Sequence, residues 1–198
     1  ERVKKNLMVN ANEKSKRLEQ LKGDDVLDEL TGLFENGVKF VEPSDLSGSL
    51  RGRQNMHNHL DMMLRAAEKS ITVVTTADGL NRKFEALYPS FEKAKKRGVT
   101  IRVAAPITPA NVDVAKMFSK VADVRDSSNK SLKGRFTIVD AEQLMFMLTD
   151  DATIHPNYDV AVWISTDYFA KVMEQLFEMA WNDFTPLSKL KVSAPKVK

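Results

Sequence analysis

Apolar positions in the middle of the chain change their period several times. Short apolar runs typical of strands alternate with longer stretches in which apolar residues lie three and four apart, as in helices. This alternation predicts strands joined by crossover helices and therefore parallel pairing. The predicted strands cover about residues 38–42, 71–77, 99–104, 121–125, 135–139, 144–149 and 159–164, and the predicted helices cover about residues 53–69, 80–97, 109–119 and 167–184.

The last three predicted strands lie close together in the sequence. A short loop at 140–143 suits a hairpin, and a longer loop spans 150–158. We therefore expect one α/β domain over residues 23–186, with a mixed, largely parallel sheet flanked by helices. The segment 43–52 is expected to be a flexible connector.

Residues 1–22 read as a polar helix with a narrow apolar stripe. The stripe contains Val3, Leu7, Leu18 and Leu21 at helical spacing. A narrow stripe on a charged helix suits a two-helix seam, which predicts a coiled-coil arm for dimerisation. The alternative is a frayed surface helix. Residues 187–198 form a basic tail.

The net positive charge of the chain is concentrated at its two ends. Residues 1–22 carry a net charge of +4 and residues 187–198 another +4, whereas the whole chain is only +3. The body, residues 23–186, is therefore net −5. Binding to the phosphate backbone depends on clustered Lys and Arg, so an acidic body does not favour DNA binding by itself.

Composition excludes several kinds of site. The chain has no cysteine, which removes disulfides, thiolate metal sites and Cys nucleophiles. No apolar run approaches the ~20 residues of a membrane helix. We expect a cytoplasmic protein without membrane contact, metal or cofactor. Because residue 1 is Glu rather than Met, we also expect a segment before it.

One glycine-containing segment could hold an anion. Residues 47–53 combine small residues with two arginines before a predicted helix, and they nominate Ser49, Arg51 and Arg53. An ordinary flexible loop is the alternative. His57 and His59 lie on different faces of a predicted helix, so they cannot bind one metal ion from one face.

The most informative stretch runs from Lys133 to Asp151. A strand, an Asp turn and a second strand resemble the core of the phospholipase D fold, whose motif has His, Lys two residues later and Asp five beyond that. Alignment on Asp140 places Lys133 at the position of the nucleophilic His and Arg135 at that of the Lys. Without the imidazole, the covalent phosphohistidine route is closed.

Further segments, in order and spacing, resemble the C-terminal domain of TrmB-type transcriptional regulators, a mostly archaeal family. These segments are 77–80, 93–103, 159–164 and 176–181. The resemblance implies a phospholipase D-like domain that binds an effector and supports dimerisation. It also implies a coiled-coil linker and a winged helix-turn-helix that contacts DNA. We expect that DNA-binding module before residue 1.

The function that we expect is therefore a non-enzymatic, effector-sensing and homodimerising domain of a DNA-binding transcriptional regulator. The effector, a sugar or an anionic metabolite, would bind at the carboxyl ends of the parallel strands. The alternatives are a phosphodiesterase-like enzyme with a nucleophile other than His, or an architectural DNA-associated dimer without a ligand. The candidate effector-binding residues are Thr76, Asp78, Lys133, Arg135 and Asp150.

Overall fold

The chain divides into two units, Glu1–Glu42 and Pro43–Lys198. The computed structural model describes residue 32 of the first unit and residues 43–128 and 134–190 of the second. The predicted arm, the predicted strand 38–42, Lys133 and most of the basic tail lie outside the described residues. The arm, with Val3, Leu7, Leu18 and Leu21, and the domain limits at 22 and 186 therefore stay predictions.

An eight-stranded sheet forms the centre of the described part of the second unit, with the order β1-β7-β6-β5-β2-β3-β4-β8. Its strands are β1 (Ser47–Arg51), β2 (Ser70–Val74), β3 (Thr100–Ala105), β4 (Asp123–Asp126), β5 (Phe136–Val139), β6 (Gln143–Met147), β7 (Val160–Ser165) and β8 (Thr185–Pro186). The helices are α1 (Pro43–Leu46), α2 (Arg53–Ala66), α3 (Ala77–Lys96), α4 (Val112–Phe118) and α5 (Asp167–Trp181). Short 3-10 helices span Pro156–Tyr158 and Leu187–Lys189.

The mixed α/β class is confirmed, but the parallel share of the sheet is smaller than predicted. Only β2–β3 and β3–β4 pair in parallel, and the other five pairings are antiparallel. The connections between consecutive strands explain this difference. Crossover helices are required only between parallel strands, whereas β5, β6 and β7 follow one another without an intervening α-helix and reverse direction each time.

The segment 43–52 is not the flexible connector that the sequence predicted. It forms α1 and β1, and β1 pairs antiparallel with β7 from Ser47 opposite Ile164 to Arg51 opposite Val160. Gly52 then has a φ of 87°, a left-handed conformation that suits glycine, and the chain enters α2.

Alternating strand residues supply two apolar cores, one on each face of the sheet. Ile71 and Val73 of β2 face the core under α2, α3 and α4, while Val74 faces the core under α5. The helices α2 to α5 each present an apolar side to a core. Thr76 and Thr166 cap α3 and α5 by accepting a backbone N–H. Because β2, β3 and β4 pair in parallel, their carboxyl ends lie together at one edge of the sheet.

Candidate functional site

A cavity of about 580 Å³ lies at the carboxyl ends of β2, β3 and β4, where the adjoining ends of β5 and β6 complete its wall. Hydroxyl groups, one arginine, one carboxylate and three apolar side chains contribute to the lining. Its described lining residues are Thr75, Thr76, Pro106, Ser127, Ser128, Gly134, Arg135, Phe146, Met147, Thr149 and Asp150. The position matches the edge of the sheet at which the sequence predicted effector binding.

Arg135 is the charged group most firmly fixed in this wall. It directly precedes β5, and only 9% of its side chain is exposed. Its Nη2 donates to Oδ1 of Asp159 at 2.7 Å and to the carbonyl of Thr149 at 2.6 Å, while Nη1 donates to Oδ2 of Asp159 at 3.2 Å. The two hydrogen bonds to the carboxylate of Asp159 fix the plane of the guanidinium.

Asp159 is the buried counter-charge of the site. Its side chain is fully buried, and it also accepts hydrogen bonds from Nε of Arg53 at 3.1 Å and from Oγ1 of Thr149 at 2.6 Å. Burial alone would raise the pKa of this carboxyl. The hydrogen bonds from Arg135 and Thr149 and the positive charge of Arg135 outweigh burial and lower the pKa to about 2, so Asp159 stays ionised.

A second buried carboxylate, Asp151, joins the cavity wall to α3. It accepts a hydrogen bond from Oγ1 of Thr76 at 2.7 Å and one from Nη2 of Arg82, and it lies 3.6 Å from Nη1 of Arg135. Thr76 also accepts the N–H of Gly79 as the N-cap of α3. The start of α3 is thereby tied to the loop after β6.

Lys83 lies behind Thr75, a residue of the cavity wall. Its Nζ donates to Oγ1 of Thr75 at 3.0 Å in a buried environment. Burial, together with the positive charges of Arg135 and Arg82, lowers the pKa of Lys83 to about 7, against the opposing effect of the carboxylates of Asp151 and Asp159. Lys83 is therefore close to half-protonated near neutral pH.

His57 is kept neutral by burial and by the positive charges around it. Burial lowers its pKa to about 4, with additional contributions from Lys83, Arg82 and Arg53. Among the described residues, the guanidinium groups of Arg53, Arg82 and Arg135 form ion pairs with the carboxylates of Asp151 and Asp159. We call these five residues with Lys83 the buried charge cluster, and it carries a net positive charge.

The predicted effector residues do not all meet at the cavity. Thr76, Arg135 and Asp150 line it. Asp78 is exposed in the first turn of α3 and is not part of the described lining. Lys133 lies outside the described residues.

The residues of the predicted anion loop take separate places. Ser49 lies in β1 opposite Val162. Arg51 and Arg53 line an open recess of about 580 Å³ at the start of α2, where Arg51 stacks on Tyr158 at 4.7 Å. Nη2 of Arg53 is buried and has no hydrogen-bond partner among the described residues. Anion binding by these residues stays a prediction.

Sequence reasoning missed most of the buried charge cluster, although one signal was available. Leu80, Leu87, Phe91 and Ala94 form the buried stripe of α3, and Lys83 occupies a position of that stripe where an apolar residue is expected. The carboxylates gave no such signal, because Asp151 and Asp159 lie in or beside a loop and meet Arg135 only through the fold.

Asp140 of the phospholipase D-like motif has a structural role. It lies at the other end of β5 from Arg135, in the turn to β6, and has a φ of 57°. Its carboxylate accepts the backbone N–H groups of Glu68, Lys69 and Ser70 at 2.9, 2.7 and 2.8 Å. Asp140 therefore fixes the entry into β2 and takes no part in the cavity.

The described residues contain neither a metal-binding cluster nor a membrane-spanning helix. Residues 43–128 and 134–190 contain no group of three or more His, Asp or Glu side chains placed to hold a metal ion. Within the part of the chain that the structure describes, no helix is both long enough and apolar enough to cross a membrane.

Comparison with known proteins finds similarity only among solved structures. No family model matches the chain, and no curated protein matches it. TrmBL2, described as an archaeal chromatin protein with a novel mode of DNA binding, has 19% identity and a TM-score of 0.57; the match covers 92% of this chain and 69% of that one.

Two bacterial proteins share the same fold over a shorter part of this chain. Nuc of Salmonella typhimurium, a phospholipase D family member, has 17% identity and a TM-score of 0.55, covering 71% of this chain and 97% of that one. Phosphatidylserine synthase of Haemophilus influenzae has 10% identity and a TM-score of 0.53, covering 73% and 40%. The protein thus has a phospholipase D-like fold, and its predicted resemblance to TrmB-type proteins is confirmed at the level of the fold.

Proposed function

We propose that this chain is the effector-binding and dimerising part of a DNA-binding regulator and that it does not hydrolyse phosphodiesters. The observation that carries the proposal is the cavity at the carboxyl ends of β2, β3 and β4. It offers hydroxyl groups and Arg135 to a ligand, and its described lining contains no histidine.

Three features support a non-catalytic role. The position that corresponds to the nucleophilic His is Lys133. Arg135, at the position of the motif Lys, is held by Asp159. The imidazole of His59 stacks on Trp163 with ring centroids 5.7 Å apart, and His155 accepts the N–H of Asn157 at the start of a 3-10 helix. Neither ring is part of the described cavity wall.

The chemistry of the cavity favours a small hydroxylated ligand with negative charge. Thr75, Thr76 and Ser127 supply hydroxyl groups, and Phe146 supplies an apolar surface. The net positive charge of the buried charge cluster favours an anion at this end of the sheet. A sugar phosphate or a related anionic metabolite fits these properties best.

DNA association is proposed from the fold likeness and from the charge distribution. The match to TrmBL2 covers more of this chain than the matches to the two phospholipase D-like proteins do. Since the body of the chain is acidic, DNA would be contacted through its basic ends or through a module outside the given sequence. Such a protein would work in the cytoplasm, at the chromosome.

A thermal-shift screen with sugars, sugar phosphates, nucleotides and simple anions tests effector binding. A ligand at 100 times its Kd adds about 2.7 kcal/mol, which raises the Tm of a domain of this size by roughly 5–10 °C. Gly134→Leu should abolish the shift by filling the cavity, since a Cβ at Gly134 meets Phe136 only at an ordinary 3.5 Å.

The matched control is Ala86→Leu, which adds the same side chain on the exposed side of α3. It should leave the ligand-induced shift unchanged. A shift that persists in Gly134→Leu would place the ligand elsewhere. Turnover of a generic phosphodiester by the wild-type chain that is lost in Gly134→Leu would overturn the non-catalytic proposal.

A second candidate, an architectural DNA-associated dimer without an effector, is favoured by the description of TrmBL2 as a chromatin protein. It predicts that no compound in the screen raises the Tm. Gly134→Leu should then leave DNA association unchanged, as measured by gel shift with the full chain.

A further inference from the structure

The outer side of α5 carries an unusual number of exposed apolar side chains. At 100° per residue, five of them fall within an arc of about 100°, and they extend over about 16 Å of the helix. These residues, which we call the α5 stripe, are Tyr168, Phe169, Val172, Leu176 and Met179, with exposed fractions of 78, 39, 37, 52 and 77%.

The α5 stripe is not needed for the core of the domain. The opposite side of the helix already supplies buried Ala170, Phe177 and Trp181 to the sheet. An outer helix face is ordinarily polar, and a contiguous exposed apolar patch is typical of an interaction surface. Met179 and Leu176, the first of them 77% and the second 52% exposed, can therefore pack against another molecule.

The polar residues beside the stripe are arranged so that a reversed copy of the helix complements them. Lys171 and Glu178 lie on the same edge of the stripe, and their side chains are 60% and 50% exposed, although Lys171 also pairs with Asp167 and Glu178 with Arg102 within the chain. Consider a two-fold axis that lies in the interface, perpendicular to α5 and level with position 174. This axis leaves the charged edges of the two helices on the same side of the interface. It brings Lys171 of one copy opposite Glu178 of the other, twice by symmetry.

We propose that two copies of this chain pair through their α5 stripes, with the two helices antiparallel. Tyr168 then packs opposite Met179, and Val172 packs opposite Leu176. The inference rests on the dimerisation proposed above and adds the surface and the register. The stripe and its charged edge are complementary to a reversed copy of themselves, which is the property of a two-fold interface. The occupant is therefore a second copy of this chain.

The area of the stripe suits the centre of such an interface. Five large side chains with these exposures present on the order of 500 Å². A stable interface of standard size buries about 800 Å² per partner. The α5 stripe therefore supplies the apolar centre, and the polar edge with Lys171 and Glu178 supplies part of the rim.

Leu176→Glu tests the surface in the full chain. A carboxylate at this position is buried in both copies at once, so the dimer dissociation constant measured by sedimentation equilibrium should rise about 100-fold or more. The matched control is Met117→Glu on α4, where the side chain is 47% exposed. It should change the constant less than about 3-fold. Unchanged circular dichroism would show that both variants fold.

The register is tested by cross-linking, because the chain contains no cysteine of its own. With an added oxidant, Val172→Cys chains mixed with Leu176→Cys chains should form disulfides with each other in preference to themselves. Met117→Cys serves as the control for random collisions. A preference for pairing with the same variant would overturn the antiparallel register.

The outcomes separate this inference from the proposed function. If Leu176→Glu remains a dimer with wild-type affinity while ligands still raise the Tm, the α5 interface is wrong and effector binding stands. If the wild-type chain is a monomer at all concentrations, this inference and the dimerising part of the proposed function both fail. A monomeric Leu176→Glu that still binds ligand supports both.

Discussion

At the scale of single residues, the site depends on how buried charges are balanced. Arg135, Arg53 and Arg82 are held by two carboxylates that are almost or fully buried, Asp151 and Asp159. A buried ion pair adds little net stability, but removal of one partner leaves the other charge without compensation. The cluster therefore fixes the cavity wall and makes it sensitive to single substitutions.

Asp159→Ala should lower the free energy of unfolding at neutral pH by about 3–5 kcal/mol, because Arg135 and Arg53 lose their counter-charge. The pKa of Asp159 falls from its ordinary 3.8 to about 2 on folding, so its contribution is present above pH 4. The difference from wild type should shrink as pH falls from about 4 to about 2. Urea unfolding at several pH values measures it.

The control for this change is Asp113→Ala, which removes an exposed carboxylate paired with Lys116. It should cost less than about 1 kcal/mol at neutral pH. An Asp159→Ala variant as stable as this control would show that the carboxylate of Asp159 does not balance the arginines.

Lys83 should make stability increase with pH above neutrality. Its pKa is about 7 in the folded protein and 10.5 when exposed, so between these values the unfolded state binds more protons. The free energy of unfolding of wild type should rise relative to Lys83→Met by about 1.4 kcal/mol per pH unit over that range. Urea unfolding from pH 6 to pH 10 measures the difference.

Lys95→Met, on the exposed side of the same helix, is the matched control and should show no such rise. If wild type and Lys83→Met keep a constant difference between pH 7 and pH 10, Lys83 remains charged in the folded protein.

At the scale of elements, β1 illustrates how packing can require an inconspicuous residue. Gly48 lies opposite Trp163 in the β1–β7 pairing. A Cβ at Gly48 would lie 2.6 Å from Nε1 of Trp163, which is too close for any side chain. Trp163 in turn stacks on His59 of α2. The edge strand and α2 are therefore linked through one indole ring.

Gly48→Val should displace the indole of Trp163 and lower the free energy of unfolding by about 1–3 kcal/mol, as overpacking does. The fluorescence of Trp163 should change with it. Gly134→Ala, with its Cβ at 3.5 Å from Phe136, is the control and should be close to neutral. Equal effects of the two substitutions would contradict the close packing of Gly48 on Trp163.

At the scale of the whole molecule, we expect two surfaces to hold the dimer together. The arm, residues 1–22, is predicted from the sequence, and the α5 stripe is inferred from the structure. Leu18→Asp combined with Leu21→Asp should weaken the dimer by about 10-fold or more, since a coiled-coil seam excludes charge. Sedimentation equilibrium measures the change, with Lys16→Asp, on the opposite side of the predicted helix, as the control.

An unchanged dimer dissociation constant in the variant with both Leu18→Asp and Leu21→Asp would show that the arm is a surface helix. The arm and the α5 stripe are expected to stabilise the dimer independently. The variant that combines all three substitutions, Leu18→Asp, Leu21→Asp and Leu176→Glu, should therefore have a dimer dissociation constant raised by about the product of the two separate effects.

The sequence determined the α/β class, most helices and strands, and the end of the sheet at which the cavity lies. These features follow from local periodicity and from the rule that parallel strands end at the same edge. Periodicity missed β1, because an edge strand with the sequence Ser47–Arg51 is held by backbone pairing with β7 and needs no apolar alternation.

Only the tertiary structure decided the antiparallel majority of the sheet, the buried charge cluster and the α5 stripe. Asp159 and Arg135 are separated by 24 residues, and Thr76 and Asp151 by 75. Their pairing depends on the strand order, which local sequence does not encode. The exposure of Leu176 and Met179 likewise depends on which side of α5 the sheet covers, because both sides of this helix are apolar.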